Sequence, residues 1–334
     1  MFCAPDFMRI LTNTIKNPFE DFEMNKLLKS ILLPVALMLM MQAAEAARVV
    51  VTIPPLLSAI KPLLGAQDKV TVLLTRGQSP HGFTMKPSHA LALQQADIIV
   101  TVGSGVDQWA QKAIENAKQS HSAEVVRMTD ISGMTLIEGG HDGEKHGSHD
   151  HALHEEHHDE DGDALMNINP HLWLDIGNIE KLVKAFSNAL QKKDESRAGE
   201  IANQTKTWLA KLQMTDNDIK QQLSPVKQVP YLVLHNAFVY FEKRYGLNNK
   251  GALHNSAERK AGVKRLVDVD DMIQSGKVKC VFQEPQLSNK QLTGLIKGSN
   301  VRLGTLDPLG DGSLDTAQFM EKLTHQYLSC LAAK

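Results

Sequence analysis

Short, uninterrupted apolar runs alternate with segments whose apolar residues recur every three or four positions, from Arg48 almost to the end of the chain. Val49–Ile53, Val70–Thr75, Ile98–Val102 and Val125–Met128 are runs of the first kind. Tyr231–Leu234, Val278–Gln283 and Val301–Leu306 repeat the pattern later. A strand that is apolar at consecutive positions has both faces buried. Such strands, separated by amphipathic helices, belong to mostly parallel sheets covered on both sides. Between the two groups lies an unusually long helical stretch, from about Ser196 to Leu223. In it Ile201, Thr205, Trp208, Leu209, Leu212 and Ile219 fall close to one face, and Pro225 and Pro230 end it. The expected architecture is α/β: two lobes, residues 47–195 and 226–334, each a mostly parallel sheet flanked by helices. One long rigid helix over 196–225 joins them, and no internal sequence repeat is evident.

The chain before residue 47 reads differently. Met24-Asn25-Lys26-Leu27-Leu28-Lys29 is a basic start, Ile31–Met41 an apolar core, and Ala44-Glu45-Ala46 a small-residue cleavage signal. That order describes a secretory signal peptide over about 24–46, with residues 1–23 an over-extended start. The apolar core is too short for a stable membrane span. The expected location is therefore periplasmic. Cys3 falls in the discarded part, which leaves Cys280 and Cys330 as a candidate pair in an oxidising compartment; two buried thiols are the alternative. Lys plus Arg number 36 against 38 for Asp plus Glu, so no global field favours nucleic acid. The expected state is monomeric.

Histidine distribution points to chemistry. His81, in Ser79-Pro80-His81, His171, in Asn169-Pro170-His171-Leu172-Trp173, and His235, after Leu232-Val233-Leu234, each sit where an apolar strand is expected to meet a loop. Asp307, in Leu306-Asp307-Pro308, is placed likewise. Ligand groups of open α/β sheets gather at the carboxyl ends of strands. Two of these residues belong to each expected lobe, so a metal would lie where the lobes face one another. Three neutral imidazoles and a carboxylate suit tetrahedral zinc. Manganese favours more oxygen ligands, which makes a manganese or other divalent-metal receptor the second reading. His89, His121, His254 and His325 have no comparable setting, although His254 lies in a stretch that could face the cleft.

Seven of the fourteen histidines crowd into a polar run over 139–163: His141, His146, His149, His151, His154, His157 and His158. The run has no periodicity and reads as a mobile insertion with weak, exchangeable metal affinity. His154-Glu155-Glu156-His157-His158 matches the H-E-x-x-H protease signature literally. That chemistry needs a rigid helix, and a run so rich in His and Glu supplies the match by chance. The chain has no G-x-x-x-x-G-K-[ST] loop and no G-x-S-x-G elbow. A periplasmic zinc hydrolase is the remote third reading, since no general base accompanies the strand-end histidines.

Several segments together resemble the metal-binding solute-receptor family of ABC transporters, in its zinc-uptake branch. They are Ser79-Pro80-His81 ahead of Met85-Lys86-Pro87-Ser88, Asn169–Leu174, and His235-Asn236-Ala237-Phe238 followed by Tyr240-Phe241-Glu242-Lys243. Phe282-Gln283-Glu284-Pro285-Gln286 and Gly304–Gly310 complete the set, in order along nearly the whole chain beyond the leader. The resemblance implies a receptor rather than an enzyme, with zinc(II) as transported ligand and a membrane permease subunit as partner. It also implies His81, His171 and His235 as ligands, with Asp307, water or a loop group as the fourth, and a Cys280–Cys330 disulfide. Pro80 stands where some members carry Glu, and Ala257–Gly262 lacks the proline-containing turn usual there.

Overall fold

The β-branched runs pair with one another as parallel strands in two separate sheets, in a computed structural model that describes residues 46–139, 167–254 and 261–333. The first half comprises β1 (Arg48–Val51), α1 (Pro54–Ile60), β2 (Lys69–Val72), α2 (Pro87–Gln94), β3 (Ile98–Thr101), α3 (Gln108–His121), β4 (Glu124–Arg127) and α4 (Ile176–Lys193). After the 26-residue helix α5 (Ala198–Leu223) come β5 (Tyr231–His235), α6 (Val239–Tyr245), β6 (Asn249–His254) and α7 (Val263–Gln274). The chain ends with β7 (Cys280–Gln283), α8 (Lys290–Leu295), β8 (Arg302–Thr305) and α9 (Thr316–Leu331). Among the described residues every pairing within the two sheets is parallel, and the orders β2-β1-β3-β4 and β6-β5-β7-β8 are the same topology twice. The repeat that the sequence hides is thus present in the fold.

Alternate residues of each central strand serve different cores. Val49 and Val51 of β1 face one apolar cluster while Val50 faces another, built with Leu93, Ala110 and Ile114 of α2 and α3. In the second sheet Tyr231 and Val233 face the first cluster, and Leu232 and Leu234 meet Val269, Ile273 and Leu292 of α7 and α8. The first cluster is continuous across both sheets and includes buried residues of α4, α5 and α9. The long helix is therefore more than a tether. Its buried residues Ile201, Thr205, Trp208, Leu212, Thr215, Ile219 and Leu223 form one stripe at helical spacing. Trp208 Nε1 donates to Ala59 O at 2.9 Å in the first lobe, and Lys211 pairs with Asp315 at 2.9 Å in the second.

Strand β6 has no counterpart among the sequence-predicted runs. Asn249-Lys250-Gly251-Ala252-Leu253-His254 contains no β-branched residue and a central glycine, and its pairing with β5 shifts register. It is an edge strand, buried only toward its end, and carries no continuous apolar signal. Cys280 opens β7 and Cys330 lies in the last turn of α9, and the two form a disulfide that fastens the final helix to the second sheet. Residues 1–45 of the expected leader and residues 140–163 of the expected histidine-rich insertion lie outside the described residues. Among the described residues no helix is long and apolar enough to cross a membrane.

Candidate metal centre

In the second sheet the strand order turns back between β5 and β7, and ligand crevices form outside the carboxyl ends of strands at such a switch. His235 is the last residue of β5, and Glu284 follows the last residue of β7. Adjacent strand ends thus bring together two residues 49 positions apart. Glu284 is buried, and its Oε1 lies 2.5 Å from His235 Nδ1 and accepts from His235 N at 3.2 Å. A carboxylate has no proton to give, so Nδ1 carries the hydrogen and Nε2 keeps its lone pair. His235 Nε2 is buried without a hydrogen-bond partner.

The same logic fixes His171. Asn169 Nδ2 donates to Asn236 O at 2.7 Å, which turns Asn169 Oδ1 toward His171, where it meets N at 3.1 Å and Nδ1 at 3.0 Å. Nδ1 therefore donates and Nε2 again keeps its lone pair. Asn169 is itself held by Tyr240, whose hydroxyl donates to Asn169 O at 2.9 Å. Burial, and then the neighbouring His235 and His81, push the His171 pKa well below the ordinary histidine range. The ring is held neutral, as a metal ligand must be. His171 does not end a strand, as its apolar neighbours suggest; it precedes a single 3₁₀ turn, Leu172–Leu174, that leads into α4. Leu172, Trp173 and Leu174 are all buried, so the run is apolar because it is core and not because it is extended.

His81 sits in the loop between β2 and α2, where its N donates to Ser79 Oγ at 3.2 Å. The ring centroids of His81, His171 and His235 are 5.7, 5.8 and 5.2 Å apart. One ligand atom from each lies within 4.8 Å of the others. Tetrahedral zinc bonded at about 2.0–2.1 Å holds its nitrogens roughly 3.3 Å apart, so each pair of ligand atoms needs to close by at most about 1.5 Å. Ser79, Pro80, Glu284, Gln286, Pro308 and Leu309 line the same small cavity, which thus draws on both halves of the chain.

The expected fourth member is not brought into this group. Asp307 lies beyond β8, and its Oδ1 accepts from Gln286 Nε2 at 2.7 Å, Leu309 N at 3.2 Å and Gly310 N at 3.1 Å. That carboxylate closes its own turn, in which Gly310 takes a positive φ of 59°. His254 is drawn beside the site by its register opposite His235, and its Nδ1 accepts from Ala261 N at 3.0 Å, but it too stays outside the group. His89 caps α2 through Lys86 N, and His121 and His325 are exposed. His141, His146, His149, His151, His154, His157 and His158 lie outside the described residues. Asn169, Glu284 and Gln286 are partners that no spacing rule marks, because each is defined by a residue distant in sequence or by a turn.

A model of the ZnuA family, described as zinc-uptake complex component A, periplasmic, matches residues 49–330. The chain belongs to that family. It is 30% identical over 319 residues to the high-affinity zinc uptake system protein ZnuA of Brucella suis biovar 1, covering 87% of this chain and 93% of the relative. The protein of the same description from Yersinia pestis is 29% identical over 320 residues, covering 92% and 98%. Among solved structures, a zinc-bound ZnuA deletion mutant superposes with a TM-score of 0.71 at 20% identity, covering 87% of this chain and all of that one. The periplasmic zinc-binding protein TroA from Treponema pallidum gives 0.69 at 21%, covering 86% and 99%. These likenesses establish the two-lobed, parallel-sheet fold.

Proposed function

We propose that this chain is a periplasmic zinc receptor that captures zinc(II) between its two lobes through His81, His171 and His235 and passes it to an ABC-type membrane permease. The observation that carries the reading is the convergence of three imidazoles from both halves of the chain on one small cavity. Two of them are oriented by Glu284 and Asn169 to present Nε2 lone pairs. Capture between lobes suits a carrier: the ligands of one lobe can be withdrawn from those of the other, so release needs only a small separation. An all-nitrogen trio favours zinc over manganese. A hydrolase would need a base on metal-bound water, and Glu284, the buried carboxylate beside the trio, is spent on His235. Zinc(II) is the cargo and the family relatives are named for its uptake.

Titration of purified protein with zinc against a chromogenic chelator tests the reading. His171→Ala is expected to abolish the tight site, and a variant that keeps wild-type affinity would rule the trio out. Metal analysis of protein purified without added metal, followed by zinc-against-manganese competition, separates the two metal readings. Strong preference for manganese would overturn the first.

A further inference from the structure

Three histidines leave one position of a tetrahedral zinc open, and one residue that lines the cavity carries a buried polar atom without a partner. Gln286 lines the cavity with the trio, and its Oε1 is buried with no hydrogen-bond partner. The orientation of this amide is dictated by chemistry. Its other end meets Asp307 Oδ1 at 2.7 Å, and a carboxylate only accepts, so the NH₂ must face Asp307 and the oxygen must face away. An unpaired buried carbonyl oxygen is costly, and native structures tolerate one where a ligand will claim it.

We propose that Gln286 Oε1 is the fourth zinc ligand, and that Asp307 is the positioning residue that keeps the amide turned. The proposal rests on reading the three-histidine cavity as the zinc site. Asp307 is poorly placed to bind directly, because it neither lines the cavity nor joins the three-histidine group, and its Oδ1 already serves three N–H donors, two of them from the backbone of its own turn. Gln286 has nothing else for its oxygen to do. The resulting donor set is three nitrogens and one neutral oxygen, with both neighbouring carboxylates one bond removed: Glu284 acts through His235, and Asp307 through Gln286. Outer carboxylates raise ligand basicity without placing a formal charge on the ion. A neutral first sphere also lets the cargo leave more readily than a bound carboxylate would.

Cobalt(II) is the probe, because its visible bands report ligand type and number directly. Gln286→Leu keeps the volume and removes the oxygen; it is expected to shift the cobalt(II) bands and weaken zinc by at least about tenfold, the least that losing even a partner outside the coordination sphere typically costs. Asp307→Asn keeps an acceptor for Gln286 Nε2 and for the turn, and is expected to leave the bands where they are. Unchanged bands in Gln286→Leu, or moved bands in Asp307→Asn, would overturn the assignment. His171→Ala serves as the separate control: if cobalt(II) bands survive in it, the three-histidine reading itself fails, whatever the other two variants show. Metal-free melting temperatures check that each variant is folded.

Discussion

Replacing Glu284 by Gln tests how much of the metal affinity comes from a charge that never touches the metal. Glu284 Oε1 lies 2.5 Å from His235 Nδ1. With an imidazole and a zinc bond of about 2 Å between them, the charge sits roughly 6 Å from a bound ion. One negative charge facing a divalent cation at that distance is worth about 5 kcal/mol at an effective dielectric of 20. Most of this does not reach the measured affinity. The glutamine oxygen can still accept from both Nδ1 and His235 N, so ring orientation and tautomer are kept, and its dipole replaces part of the field. The expected loss is the 10- to 100-fold typical of groups that orient metal ligands, about 1.4–2.7 kcal/mol. Chelator-competition titration measures it at fixed pH and ionic strength. Glu284→Ala should lose more, because it also leaves a buried Nδ1–H and His235 N without acceptors. Equal affinity in wild type and Glu284→Gln would refute the reasoning, since geometry alone would then account for the role of the carboxylate.

Glu242 is fully enclosed among Tyr231, Tyr327 and Asn249, and burial pushes its pKa up to about 7 against the hydrogen bonds that Asn249 and Tyr231 give it. The folded state then holds a proton that the unfolded chain releases near pH 4.5, so stability falls as pH rises from about 4.5 to 7, by on the order of 3 kcal/mol. Denaturant melts at pH 5 and pH 8 should show this fall and should show it flattened in Glu242→Gln; the same slope in both proteins would refute it. Replacing Cys280 and Cys330 together by Ala should cost about 4 kcal/mol by loop-closure entropy, read as a lower denaturation midpoint under non-reducing conditions. Deleting residues 140–163 should leave the tight zinc site intact and reduce the number of zinc ions bound at saturation, by equilibrium dialysis.

The fold was legible in the sequence wherever burial was two-sided. Val49–Val51 and Ile98–Val100 are buried on both faces, so a plain apolar run sufficed to mark them. Edge strand β6 escaped because it lacks β-branched residues and carries Gly251 at a φ of 123°, where its pairing with β5 shifts register. The long helix was legible because one face of it packs against helices of both lobes, α4 and α9, and that requirement writes a stripe over seven turns.

Of the candidate site, the three histidines were legible and the groups that orient them were not. His81, His171 and His235 stand out because imidazoles beside apolar runs are chemically conspicuous, whichever element carries them. Asp307 stood out for the same reason, and its position after β8 is shared with Glu284 after β7, so position alone could not tell the two carboxylates apart. What separates them is which donors reach them first. Glu284 is met by the ring and backbone of His235 across adjacent strands, whereas Asp307 is met by its own turn and by Gln286. Hydrogen-bond competition of this kind depends on a few tenths of an ångström across elements dozens of residues apart, and no spacing rule encodes it. A carboxylate near a proposed metal is therefore weighed by where the fold's own donors have turned it, and in this chain Asp307 is turned to its own turn and to Gln286, whose amide lines the cavity and keeps a buried oxygen without a partner.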